Sequence, residues 1–131
     1  SMTQTRPPGM ARIMLTIMPG GGEIMKVEDH IPIAYAHRLA SKVARYLKKR
    51  YGATKVMLYG SLVMGCYNPD FSDIDVYFEG VREEWVADAL ADCRLNFGEQ
   101  DISGRKRIDY TAASSLPKEM QAYIRQRAEE L

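Results

Sequence analysis

Lys55-Val56-Met57-Leu58-Tyr59-Gly60-Ser61-Leu62-Val63-Met64-Gly65, followed by Ser72-Asp73-Ile74-Asp75-Val76-Tyr77-Phe78, is the stretch on which the fold turns. Residues 55–59 form a short apolar run, the pattern of a strand buried on both faces. Gly60 ends it, residues 61–66 can form a short helix, and Tyr67-Asn68-Pro69-Asp70 is turn chemistry. Residues 74–78 read as a second strand. Strand alternation then places Asp73 and Asp75 on one face and Ile74, Val76 and Phe78 on the other. Two adjacent anions on one face repel unless a cation lies between them. Hard oxygen ligands at that spacing suit Mg²⁺, which also takes oxygens from nucleotide phosphates. Gly60 lets a phosphate approach the backbone at a helix start, and Ser61 adds a hydroxyl. Each signal is weak alone: surface strands carry DxD by chance, and most strand–Gly–Ser–helix junctions are only tight turns. No GxxxxGK[ST] follows, so this is not a P-loop.

Outward from this stretch the pattern is regular. Residues 31–51 carry Ala36, Leu39, Ala40, Val43, Tyr46 and Leu47 at three- and four-residue steps, with Arg38, Lys42, Arg45, Lys48 and Lys49 on the other face. Gly52 is a helix stop. A second helix is predicted over 82–95, with Trp85, Val86, Ala89, Leu90 and Cys93 on one stripe, then a loop over 96–104. Residues 107–110 read as a third strand. Ser115 before Pro117 starts a last helix, with Leu116, Met120, Ile124 and Ala128 spaced by four. Helices alternating with strands predict a small α/β (α+β) domain, a mixed sheet flanked by helices. Asp109, on the third strand, can then face the same way as Asp73 and Asp75, complete a metal clamp or act as general base. Its plainer reading is a partner for Arg105 or Arg107. Asp101, in a loop, is the alternative third acid.

Composition narrows the function classes. At 131 residues and 46% apolar content, the chain has room for one domain with a real core. No apolar run approaches the roughly 20 residues needed to span a bilayer. The net charge of +1 argues against a histone-like protein that binds nucleic acid by overall charge. That balance hides segregation: residues 31–69 hold seven Lys/Arg and no acid, whereas residues 70–101 hold ten Asp/Glu against Arg82 and Arg94. Cys66 and Cys93 are far apart and read as ordinary buried or half-buried thiols; with eight Met they fit a reducing, cytoplasmic setting better than a disulfide scaffold. His30 and His37 read as structural or surface residues. Residues 1–24, with Pro7-Pro8-Gly9 and Pro19-Gly20-Gly21-Gly22, are expected to be a flexible tail, Ser1-Met2 reading as a cloning remnant. The domain is expected over 25–131.

The combination of Gly60-Ser61-Leu62-Val63-Met64-Gly65 with Ser72-Asp73-Ile74-Asp75-Val76 resembles the signature of the DNA polymerase beta-like nucleotidyltransferase superfamily. Within it the chain resembles a minimal nucleotidyltransferase of the MNT type, over roughly residues 31–131. The resemblance implies transfer of AMP from ATP to a hydroxyl with two Mg²⁺ ions. It implies that Gly60, Ser61 and Gly65 hold the triphosphate, that Asp73 and Asp75 ligate metal, and that Asp109 is the third acid. Members often carry an Arg inside the GSxxxG helix; here those positions are Leu62, Val63 and Met64, so the cation is expected from elsewhere, for instance Arg105 or Lys106. Minimal members commonly act as antitoxins beside a HEPN-type toxin, whose tyrosine is the implied acceptor. The rival readings are a non-catalytic antitoxin that blocks its partner sterically and a small-molecule nucleotidyltransferase. A nucleic acid acceptor is not expected, and oligomeric state is left open.

Overall fold

The computed structural model describes residues 25–131; the expected tail, 1–24, lies outside the described residues. The long helix α1 (Ile33–Tyr51) follows from its pattern: Ala36, Leu39, Ala40, Val43, Ala44, Leu47 and Tyr51 form one buried stripe. Gly52 closes it in the left-handed region at φ 70°, its N–H donating to the Lys48 carbonyl at 3.2 Å. Strand β1 (Lys55–Tyr59) leads through Gly60 into the single-turn helix α2 (Ser61–Met64). The helix is shorter than expected because Gly65, at φ 82°, stops it.

Strand β2 (Ile74–Glu79) runs antiparallel to β1 and parallel to β3 (Ile108–Ala112). Between β2 and β3 lies the crossover that a parallel pair needs: a 3-10 turn (Glu83–Trp85) and helix α3 (Val86–Phe97). The helix predicted over 82–95 thus starts later, at Val86 after the 3-10 turn, and runs on to Phe97. The last helix, α4 (Lys118–Arg127), begins after Pro117 rather than at Ser115. The Ser115 hydroxyl donates to the Ala112 carbonyl at 2.8 Å instead of accepting a helix N–H. A two-residue strand, β4 (Glu129–Glu130), completes the sheet in the order β3-β2-β1-β4. The predicted mixed sheet flanked by helices is what forms.

Alternation gives the sheet two unlike faces. Val56, Leu58, Ile74, Val76, Phe78, Ile108, Tyr110 and Ala112 face the main core under α1 and α3. Met57 and Tyr77 face the other way, where α4 covers them with Ile124, and Tyr59, Leu116 and Ala128 pack around that smaller cluster. Met120, expected on the same stripe as Ile124, is 46% exposed. One buried carboxylate joins the helices: Asp92 of α3 accepts from the hydroxyls of Tyr46 at 2.8 Å and Tyr51 at 2.6 Å. Of the thiols, Cys93 is buried but Cys66 is exposed. The latter corrects the expectation, because Cys66 follows the helix stop at Gly65 and lies outside the packed layers.

Candidate active site

The open end of the second sheet face carries the acids. Strand register sets Tyr59 of β1 opposite Asp75 of β2, and Asp75 opposite Asp109 of β3. Asp73, two residues before Asp75, shares its parity just ahead of the strand. The sequence-predicted acids are therefore brought to one end of one face.

The junction at Gly60 fits against this row. Gly60 has φ 79° and ψ −145°, and a Cβ there would lie 2.2 Å from Asp75 Oδ2. Only glycine satisfies both the backbone and the contact. Ser61 Oγ, the next residue's hydroxyl, is buried and without a hydrogen-bond partner. A buried hydroxyl without a partner is costly in a folded chain unless a ligand completes it. Gly65 has a different reason for being glycine: its φ is positive, but a Cβ there would meet nothing within 4 Å. Its N–H donates to the Ser61 carbonyl at 3.1 Å and closes the turn.

The electrostatics are those of crowded anions. Burial, then the charges of Asp109 and Asp73, push the Asp75 carboxyl up to about 6, with Lys106 opposing. Asp73 is raised by burial and by Asp109, and Lys106 and Arg107 offset part of this. Asp109 is held by Lys106, whose Nζ is 2.9 Å from Oδ1. That hydrogen bond raises the Lys106 ammonium in turn. The partner of Asp109 is thus Lys106, not Arg105 or Arg107. Among the described residues no three His, Cys, Asp or Glu stand as a ready-made metal-holding group. The donor set still fits a hard divalent cation shared with phosphate oxygens: carboxylates only, mutually repelling, beside an orphaned hydroxyl and a glycine turn.

Of the two basic residues expected to replace the missing arginine, Lys106 stands in the site. Arg105 turns away, its guanidinium 4.8 Å from the Phe71 ring centre and bonded to the Asp70 carbonyl. Asp101, the alternative third acid, is also committed elsewhere. Burial works against its charge, but bonds from Ser103, the Arg105 amide and Arg107 hold it at about 2. His30 pairs with Asp70 at 2.6 Å on the surface, and His37 lies on α1.

Two residues of the site escape the sequence reading. Tyr59 ends the acid row; its hydroxyl shares a 3.3 Å hydrogen bond with Thr111 Oγ1. Burial and the nearby Asp75 and Asp109 charges raise it. Arg107 is fully buried beneath the loop that delivers Asp73. It donates to the carbonyls of Asp29 at 2.6 Å, Pro69 at 2.7 Å and Ser72 at 3.0 Å, and to Asp101 Oδ2 at 3.4 Å. Strand parity was the available signal for Tyr59; nothing in the sequence marks Arg107.

The sequence model of the nucleotidyltransferase domain family matches residues 40–127, from the middle of α1 to the end of α4. The chain belongs to that family. Its four-stranded mixed sheet and flanking helices agree with the DNA polymerase beta-like nucleotidyltransferase fold. Nucleotidyl transfer is accordingly the chemistry of this nucleotidyltransferase domain. No curated protein matches the chain. Among the described residues, no helix is long and apolar enough to cross a membrane.

Proposed function

We propose that the domain transfers AMP from ATP, with Mg²⁺, to a hydroxyl on a protein. The resemblance to the MNT type points to a tyrosine of a HEPN-type toxin as the acceptor. The observation that carries the reading is the junction of Gly60, the unpartnered Ser61 hydroxyl and the Asp75 carboxylate, set beside Asp73 and Asp109. A triphosphate laid on the Gly60-Ser61 turn gives Ser61 Oγ its missing partner. Asp73, Asp75 and Asp109 are the residues that would hold Mg²⁺. When bound, Mg²⁺ supplies the positive charge that offsets the triphosphate and the leaving pyrophosphate. Lys106 adds a cation where Leu62, Val63 and Met64 offer none.

In the transfer, the acceptor oxygen forms a bond to the α-phosphorus, and the bond to pyrophosphate breaks. The acceptor proton goes to a carboxylate, which we assign to Asp109 at the outer edge of the row. Asp75, whose carboxyl is pushed up to about 6, stands in the middle of the row and holds position against Gly60.

The test is incubation of the full chain and a HEPN-type partner with ATP labelled in the α-phosphate. Label is expected on the partner with wild type and is expected to be lost with Asp73→Asn and Asp75→Asn, while both variants still bind the partner. Labelling by the Asn variants at the wild-type rate overturns the catalytic assignment. The apolar triplet 62–64 favours a second reading, a steric antitoxin. Neutralisation of the partner without label from any protein, wild type included, establishes that reading instead.

A further inference from the structure

Away from the acids, on the far side of the sheet, α1 turns a different surface to solvent. Arg38, Lys42, Arg45 and Lys49 follow one another at steps of four, three and four, so they form one stripe opposite the buried one. All four are exposed. None has a carboxylate partner among the described residues. The C-terminal members suit the negative end of the helix dipole, but Arg38 lies in its first half and Lys42 at its midpoint, where cations gain nothing from it. Like charges at these spacings repel, each pair costing about 0.2–0.5 kcal/mol. A face needed only for solubility mixes both signs; this one carries a single sign.

The stripe is also grooved. A hollow of about 280 Å³ is lined by His37, Arg38, Ser41, Lys42 and Arg45. A second, of about 490 Å³, is lined by Lys42, Arg45, Tyr46, Lys49, Arg50 and Phe97. Lys42 and Arg45 belong to both, so the hollows are continuous. Phe97 forms an aromatic wall, braced edge-on by Tyr46 at 5.6 Å. Near the other end the Arg38 guanidinium lies 5.7 Å from the Tyr35 ring centre.

We infer that this groove binds a single-stranded polynucleotide, independently of nucleotidyl transfer. A row of cations beside ring faces suits a phosphate chain with bases stacked on aromatic side chains. Eleven helical steps from Arg38 to Lys49 make the track roughly 16 Å long, enough for a few nucleotides. An acidic peptide without aromatic side chains would satisfy the cations but leave the Phe97 ring without a stacking partner, whereas every nucleotide brings a base. A chain of near-zero net charge binds in this way because its cations are concentrated on one helix face and its acids lie elsewhere.

The experiment is fluorescence anisotropy of the full chain with labelled single-stranded oligo-U and oligo-dT of about 12 nucleotides, from about 50 to 200 mM salt. Both are expected to bind, with log affinity falling against log salt with a slope of about −2 to −3, as three or four neutralised phosphates require. The triple variant Lys42→Ala, Arg45→Ala, Lys49→Ala is expected to bind at least tenfold more weakly, with an unchanged melting curve and undiminished transfer activity. Phe97→Leu is expected to weaken binding severalfold while keeping the salt slope. A preference for oligo-U over oligo-dT assigns the site to RNA. No binding at the lowest salt overturns the inference, as does equal competition by polyglutamate of the same charge. So does salt-sensitive self-association that the triple variant abolishes while wild type leaves the oligonucleotides free.

Discussion

The two faces of one sheet behave as different materials. Toward α1 and α3, β1, β2 and β3 present Val56, Leu58, Ile74, Val76, Phe78 and Ile108, each 0–1% exposed. The opposite face is covered only where α4 lays Ile124 over Met57 and Tyr77. Its uncovered end holds Tyr59, Asp75 and Asp109 in register. The β2 strand therefore supplies core through its even positions and carries Asp75, with Asp73 just ahead of it, on the open face. The covered face fixes the strands, and the open face uses that rigidity to hold repelling groups together.

The largest expected effect comes from the open face. Asp75→Asn keeps the shape and removes the charge, so transfer is expected to fall about a hundred- to a thousand-fold. Stability is expected to stay level or rise, because the carboxylate is desolvated and faces two other anions. Loss of both activity and melting temperature would erase the distinction between the faces. On the packed face, Phe78→Ala is expected to cost about 3–5 kcal/mol in denaturant unfolding, as for other buried aromatic truncations. A cost near zero would mean that the face is not the stabilising one.

Gly60→Ala tests the seam between them. The positive φ and the 2.2 Å approach to Asp75 Oδ2 together are expected to cost about 1–3 kcal/mol, read in the same unfolding experiment. Adding Asp75→Ala removes the contact but not the φ penalty, so partial recovery is expected. A smaller effect is expected from pH in metal-free buffer. The folded Asp75 carboxyl is raised to about 6, above its unfolded value near 3.9, so the native state binds the proton more tightly. Stability from this group is present below about pH 4 and is lost as pH rises toward 6. Unfolding midpoints across that window are expected to show a decline that Asp75→Asn flattens. The smallest effect belongs at the rim: Glu130→Gln removes the exposed Lys55 pair and is expected to change stability by less than about 1 kcal/mol.

How far all this was readable in the chain depends on locality. Helix α1 and strands β1 and β2 were legible because their apolar periods are long or clean. Asp73 and Asp75 were legible as a pair because strand parity is a local rule, and Asp109 followed once β3 was placed beside β2. Strand β4 was not legible: Glu129 and Glu130 are exposed, and only pairing with Met57 and Leu58 makes them a strand. Asp92 lies in an acid-rich stretch that reads as solvated. Its burial depends on two tyrosines more than forty positions away. The α1 stripe was visible as a helix face, but the wall that Phe97 adds to it comes from another helix.

Arg107 ties the backbone carbonyls of residues 29, 69 and 72 and the carboxylate of Asp101 to one point. None of them can swing out alone without stranding a buried guanidinium. The amides of Ile31, bonded to the Pro69 carbonyl, and Ile74, bonded to the Arg107 carbonyl, lie within the same knot. The loop that carries Asp73 is thus expected to open as a whole or not at all. In native-state hydrogen exchange these amides are expected to open together as one unit, rather than fray from the loop inward.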